Sequence, residues 1–514
     1  MFGKASRRFD AYFIALLAMC AAFVAYWAGY ANYRYTSLMS SFWDLGQETY
    51  SMYIHLHNPS LIYGLQFLSF SNHISLFKIA LLPIFALYQN PMTLVLIQSI
   101  LLALCAIVIY FIGKKVAENK LLGFVIAVAF LINPGVRGLS AYDLHAEAAI
   151  PLFLLLAFYF YMRGEKWQFV ASYAIMMSTM EAAPVAGVSL ILGLFFYEKF
   201  YALKKKSNGV SESRKRMRTL LIALGVTVGF VLFYLYVITS LTSAYASGGY
   251  TVMPPFLKLV NFLAVQTTAL GNIAAVQYNP GQLIFVFILG FVTLFLGFGV
   301  TTFRNVALTS ILVLPWLLEL VVLHNVVFGT LNNQYYAFVV GGAVVAAILG
   351  FMIVTAEKRK RVFGININQL LPFTLSLSIM ISVILLPLGF GNPLSFFPGY
   401  WQQTGNYSAI QNALMAIPSN SSVLTQPLLS AHLYNVLYLE LPPYYQVNAY
   451  TPSGFGRLNI TTYYNSRPQY VAIDSNLADF NITMSNSQFN VYEFMGSNYT
   501  KYLSEGGVEI YKLG

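Results

Sequence analysis

NPMTLVLIQSILLALCAIVIYFIGKK, residues 90–115, holds no charged residue until it closes on Lys114 and Lys115. An apolar run of about 20 residues crosses a hydrocarbon core as a helix. Lysines at one end mark the side that stays inside. The same pattern recurs outward in both directions. The chain is 58% hydrophobic and only 9% charged, whereas soluble domains carry about 25% charged residues. Composition therefore predicts an integral membrane protein. The net charge of +11 does not point to nucleic acid, because 21 of the 29 Lys and Arg lie in six short clusters between apolar runs.

Those clusters are Lys4/Arg7/Arg8, Lys114/Lys115/Lys120, Arg163/Lys166, the run from Lys199 to Arg218, Arg304, and Lys358 to Arg361. Placing all of them inside gives spans near 11–31, 92–113, 121–137, 147–163, 167–180, 182–198, 219–241, 282–303, 306–323, 336–356 and 369–389. The expectation is an all-α polytopic protein of about eleven helices, with the N-terminus cytoplasmic and the C-terminus outside. The first apolar run is too long for a signal peptide and lacks a small-residue cleavage site, so it reads as a retained span. The stretch 167–198 is too short for two full spans at about 1.5 Å per residue. It predicts two short helices or a re-entrant hairpin with Glu181 and Pro184 at the apex. The apolar stretch 74–88 reads as interfacial.

Domain 1–390 thus holds the spans and a long first outer loop, 32–91. From about residue 391 the chain turns to Asn, Ser, Tyr and Thr. Five sequons there start at Asn406, Asn420, Asn459, Asn481 and Asn498; sequons are modified on the extracytoplasmic side. An amphipathic segment at 407–418 and apolar segments at 421–426, 469–474 and 507–513 predict a small α/β domain over 391–514. Cys20 and Cys105 both fall inside predicted spans, which excludes a disulfide framework or a thiolate zinc site.

All six histidines and most acids that are not plainly cytoplasmic fall on the outer side in this topology. Asp44, Glu48, His55, His57 and His73 lie in the first outer loop, and Asp143, His145 and Glu147 in the second. A bilayer core excludes ionisable groups unless they are paired or used. Asp44 is also a good helix N-cap, and Asp143 could cap the span that follows it. Arg137 suits bidentate phosphate recognition. The sequence names no cofactor; carboxylate plus imidazole can hold a divalent cation, for which Asp143 and His145 are the only candidates, and their spacing matches no specific metal motif. Glu181 is the sharpest intramembrane acid, either a general base or a polar anchor. Glu319 sits near the middle of a span, with His324 about one turn beyond, and reads as a structural interhelical hydrogen bond. No Walker loop, dinucleotide fingerprint or HExxH motif occurs.

FWDLGQETY (42–50), NHISLFKIALLPIFALYQNP running into the opening stretch, NPGVRGLSAYDLHAEAAIP (133–151) and TMEAAPV (179–185) occur in this order. In them the chain resembles the DUF2079 family of predicted polytopic membrane proteins. That family is similar to the GT-C glycosyltransferases, which use polyprenyl-phosphate sugar donors. The likeness is good over 40–200 and thin over 240–390; in the tail, AIPSNSSVLTQPLLSAHLYN and YVAID look like the family's ending. The resemblance carries Asp44, His73, Asp143, His145 and Glu181. The family pattern has phenylalanine before the histidine and a basic–acidic–acidic triplet at the last position; here Leu144 precedes His145, and Met180 and Ala182 flank Glu181.

What the resemblance implies is a GT-C-like enzyme that transfers a sugar from a polyprenyl-phosphate donor at the outer face of the plasma membrane. Asp44 would be the general base and Glu181 a second catalytic acid. His73, Arg137, Asp143, His145 and Glu147 would bind substrate, with Arg34 a second group near the phosphate. The rivals are a multi-pass transporter or lipid flippase, and a non-catalytic surface-assembly protein. The Tyr/Asn-rich tail points to an archaeal cell surface.

Overall fold

The computed structural model describes residues 10–40, 45–57, 74–202, 209–245, 307–308, 310–313, 336–356, 361–362, 365–366, 369, 376, 380, 406–436, 438–440, 450–451, 454–455, 467–477 and 491–514. Among the described residues five helices are long and apolar enough to cross a membrane: Ala11–Thr36, Pro91–Lys115, Ala146–Arg163, Ala183–Tyr201 and Arg214–Tyr236. A sixth arises if Lys120–Leu131 and Gly135–Ala141, bent by 52° at a short break, form one span. Phe77–Leu87 and Ala337–Ile353 are shorter apolar helices. The expected spans at 282–303 and most of 306–323 and 369–389 lie outside the described residues.

The chain divides into two compact units, one of residues 1–27, 72–78 and 97–393, the other of 28–71, 79–96 and 394–514. In the first unit, local sequence decides where each helix stops. Gly164 adopts φ +75°, a left-handed conformation that favours glycine. Its N–H donates to Tyr161 O at 3.0 Å, and Glu165 N–H donates to Phe160 O at 2.9 Å. This Schellman arrangement satisfies the last carbonyls of Ile150–Arg163 and reverses the chain directly into Lys166–Met177. The following turn, 178–182, leads into Ala183–Tyr197 with Pro184 in its first turn. The short hairpin expected from the sequence is therefore two helices of 12 and 15 residues, with Glu181 in the connecting turn.

Close helix approach requires small residues. A Cβ added to Gly113 would lie 2.2 Å from Gly123 Cα, so Pro91–Lys115 and Lys120–Leu131 touch backbone to backbone. Asn119 caps the second helix by accepting from Leu122 N–H at 2.9 Å. Asp10 sits at the same end, 2.6 Å from Lys114 Nζ and 3.4 Å from Lys120 Nζ. Its carboxyl is held at about 2, first by the hydrogen bond from Lys114.

The second unit contains a five-stranded sheet in the order 438–440, 422–425, 470–474, 508–513, 499–505. The first three strands are parallel, and the last two run antiparallel to their neighbours. YVAID (470–474) is buried throughout because both sheet faces are covered. Tyr470 and Ala472 face a core with Ile410, Leu414 and Leu429; Val471 and Ile473 face Val491, Met495 and Tyr499. Gly506 (φ +62°) and Gly507 (φ +95°) make the tight turn between the last two strands, a conformation suited to glycine.

His432 is the unexpected member of this unit. It lies in a polar tail, yet the ring is 2% exposed. It lies over Tyr35 at 4.1 Å and edge-on to Tyr407 at 5.6 Å. Neither ring nitrogen has a hydrogen-bond partner among the described residues. Desolvation lowers its pKa from 6.5 to about 3, because burial disfavours the charged ring.

Two outcomes follow from these contacts. Gly113→Ala forces the helix pair apart, and overpacking of this kind costs about 1–3 kcal/mol; thermal unfolding in detergent should show the loss. His432 stays neutral in the folded chain while the unfolded chain takes up a proton below about 6.5. Its share of stability is complete above that pH and is lost as pH falls toward about 3. His432→Phe should flatten the unfolding profile in that window, and an unchanged slope would count against the burial argument.

Candidate functional site

The segment 133–149 is built on one buried glutamine. Gln98 lies in the third turn of Pro91–Lys115 and is 1% exposed. Its Nε2 donates to Leu139 O at 2.7 Å and to Tyr142 O at 3.0 Å. Its Oε1 accepts from His145 N–H at 3.0 Å. Three backbone groups, one from a short helix and two from the stretch that follows it, are thus satisfied by one side chain from an otherwise apolar helix. Unmade, each would carry the desolvation cost of a buried polar group.

The segment enters this clamp through a short helix, Pro134–Ala141. Asn133 caps it by accepting from Gly135 N–H at 2.8 Å and Val136 N–H at 3.3 Å. Pro134 suits the first turn, where its missing N–H is no loss. Gly135 packs under the ring of Tyr336, whose Cδ1 would lie 2.0 Å from an added Cβ. After Ala141 the backbone runs extended to His145 and then enters a 3₁₀ turn, Ala146–Ala149.

This geometry buries four ionisable residues within eleven positions. Arg137 is 9% exposed, Asp143 4%, His145 5% and Glu147 2%. His145 Nδ1 is 3.0 Å from Asp143 O. A carbonyl can only accept, so Nδ1 carries the proton and Nε2 is the acceptor of the neutral ring. The Tyr142 ring lies 5.2 Å from the imidazole. Glu147 Oε1 is buried without a hydrogen-bond partner among the described residues. The residue before the 3₁₀ turn is His145 and no side chain caps it, so Asp143 is not the cap the sequence allowed. No group of three or more His, Cys, Asp or Glu able to hold a metal occurs among the described residues.

Glu181 is held differently. Its Oε2 accepts from Ile74 N–H at 3.0 Å. Phe77 N–H donates to Ser178 O at 3.0 Å, so 74–77 is fastened to the hairpin turn at two points. The Phe77 ring meets Phe153 at 5.8 Å, edge to face. One short segment therefore links the Glu181 turn to the helix that begins just after Glu147. Tyr234 donates to Met177 O beside the same turn.

Asp44 and His73, along with Asn459 and Asn481, lie outside the described residues. Ile74, the residue held by Glu181, directly follows His73. Glu48 is buried in the first turn of Gln47–His57. Arg34 donates to Met39 O at 3.3 Å. Asn406, Asn420 and Asn498 are exposed, as an acceptor site requires. The sequence reading missed Gln98; its trace was a lone amide in a long apolar run.

A family model described as "Predicted membrane protein (DUF2079)" matches residues 34–510. No curated protein matches the chain. Among solved structures, the chain is similar to the crystal structure of ArnT from Cupriavidus metallidurans in the apo state. The TM-score is 0.42 and the identity 9%, over 91% of this chain and 93% of that one.

Gln98→Leu removes two donors and one acceptor from 139–145 without shortening the side chain much. Each orphaned backbone group costs about 1–3 kcal/mol. Hydrogen exchange of the full chain in detergent should show faster exchange across 139–147, with the Lys120–Leu131 helix little changed. Unaltered exchange there would mean that the clamp does not hold the segment.

Proposed function

The chain belongs to the DUF2079 family of predicted membrane proteins, and from that premise we propose that it is a GT-C-like transferase using a polyprenyl-phosphate sugar. The observation that carries this reading is the buried set Arg137, Asp143, His145 and Glu147, carried by a short helix, a non-helical stretch and a 3₁₀ turn that Gln98 clamps. Non-helical backbone at membrane depth is tolerated where it is buried in protein or lines a cavity. Ionisable side chains gathered there mark a functional site by default.

In the proposed reaction an acceptor hydroxyl gives its proton to Asp44. The hydroxyl oxygen attacks the anomeric carbon, the carbon–oxygen bond to phosphate breaks, and polyprenyl phosphate leaves with the electron pair. Arg137 is assigned to the donor phosphate, since a guanidinium matches its oxygens in pairs. His145 and Asp143 shape the site, and Glu147 contributes a carboxylate acceptor. Glu181 is assigned as a positioning residue, because its carboxylate already holds Ile74 N–H and so fixes the chain beside His73. The reaction is assigned to the outer face, with the tail outside and glycosylated at the exposed Asn406, Asn420 and Asn498.

The transporter reading draws on one specific feature, the 52° break between Lys120–Leu131 and Gly135–Ala141. Discontinuous helices of this kind line substrate sites in transporters.

Asp44→Asn should abolish sugar transfer in a membrane assay while leaving expression and thermal unfolding unchanged; full activity would remove Asp44 as base. Glu181→Gln keeps an acceptor for Ile74 N–H and should preserve most of kcat, whereas Glu181→Ala should lose it. Equal loss in both would make the Glu181 charge itself part of the chemistry.

A further inference from the structure

Three helix ends converge away from the Gln98 clamp. Arg216 Nη1 bonds Glu198 Oε1 at 3.0 Å, and its Nη2 donates to Met162 O at 3.4 Å. One guanidinium thereby ties the C-terminal end of Ile150–Arg163 to that of Ala183–Tyr197 and to the early turns of Gly209–Tyr245. Glu198 is 1% exposed, so this ion pair is internal and fixes the three ends in one place. A π-helical turn, Glu198–Ala202, widens the chain there.

The cations around this knot point outward. Arg163, Lys166, Lys199, Arg214, Lys215 and Arg218 are all exposed. The helix reversal at Gly164 puts Arg163 and Lys166 at the same end, and the Arg216 pair brings in the other four. Among the side chains described, Glu165 stands against them and pairs with Arg163 at 2.6 Å, while Glu198 is internal; Glu212 precedes Arg214 in sequence.

Three of these cations also stand over aromatic rings: Lys166 over Trp167 at 4.6 Å, Arg163 over Tyr159 at 5.5 Å and Lys199 over Phe200 at 5.7 Å. Trp167 is 70% exposed and Phe200 42%. An exposed tryptophan costs apolar contact with water, unless it sits among lipid headgroups, where amphipathic rings are enriched. A cation lifted by such a ring reaches the phosphate layer. Basic residues beside a span attract anionic lipids, and charge complementarity selects that partner over a zwitterionic lipid.

We propose that this three-helix end, with its cation-on-aromatic pairs, is a binding surface for the headgroups of anionic phospholipids. It is separate from the clamp and does not depend on the transferase reading. The test uses the full chain in proteoliposomes containing brominated phosphatidylglycerol or brominated phosphatidylcholine at equal mole fraction. The Trp167 signal is isolated by subtracting Trp167→Phe. Phosphatidylglycerol should quench Trp167 more strongly. Removing one cation should lower the lipid preference about fivefold, and Lys166→Gln/Lys199→Gln/Arg214→Gln together should abolish it. Lys166→Arg/Lys199→Arg, with Arg214 kept, should retain it. Equal quenching by both lipids, or no change in the triple variant, overturns the proposal. Loss of the preference on adding inorganic phosphate would assign the surface to a soluble anion and overturn the lipid assignment too.

Discussion

The polar half of the first unit depends on the three hydrogen bonds of Gln98. A membrane helix gains nothing from a lone buried amide, which leaves a donor pair and an acceptor to be satisfied in an apolar interior. The chain meets that demand by lending it Leu139 O, Tyr142 O and His145 N–H. In return the chain can leave the helix after Ala141 and run without helical bonds to His145, among the helices. Without such a clamp, Asp143 and His145 would have no fixed backbone to project from.

A second constraint acts through 74–77. Glu181 and Ser178 hold this piece of backbone at the hairpin turn, and Phe77 carries it against Phe153. Residues far apart in sequence thereby share one rigid support. A carboxylate that bonds backbone in this way locates the chain, while carboxylates such as Glu147 Oε1, buried without a bonded partner among the described residues, keep their acceptor capacity.

Much of this was legible in the residues. The lysines closing the run at 114–115, Gly164 after Arg163 and Pro184 after the Glu181 turn each mark a helix boundary by a local rule. The strands at 422–425, 470–474 and 508–513 follow the apolar segments read at 421–426, 469–474 and 507–513. What stayed hidden was long-range pairing. Gln98 finds its partners 41 to 47 residues away, which no local pattern encodes. Ile74 and Glu181 are 107 apart. The burial of His432 was hidden too, because the rings of Tyr35 and Tyr407 that cover it come from other parts of the chain. Asp44 and His73 rest on their place in the first outer loop of the sequence and on the family resemblance, and both lie outside the described residues.

The most direct measurement of the central claim is mass spectrometry of lipid-linked sugars and surface glycans in a strain lacking this chain. A transferase predicts a polyprenyl-phosphate sugar that accumulates and a glycan that loses the corresponding residue, both reversed by the restored gene. Unchanged levels of both would contradict the account.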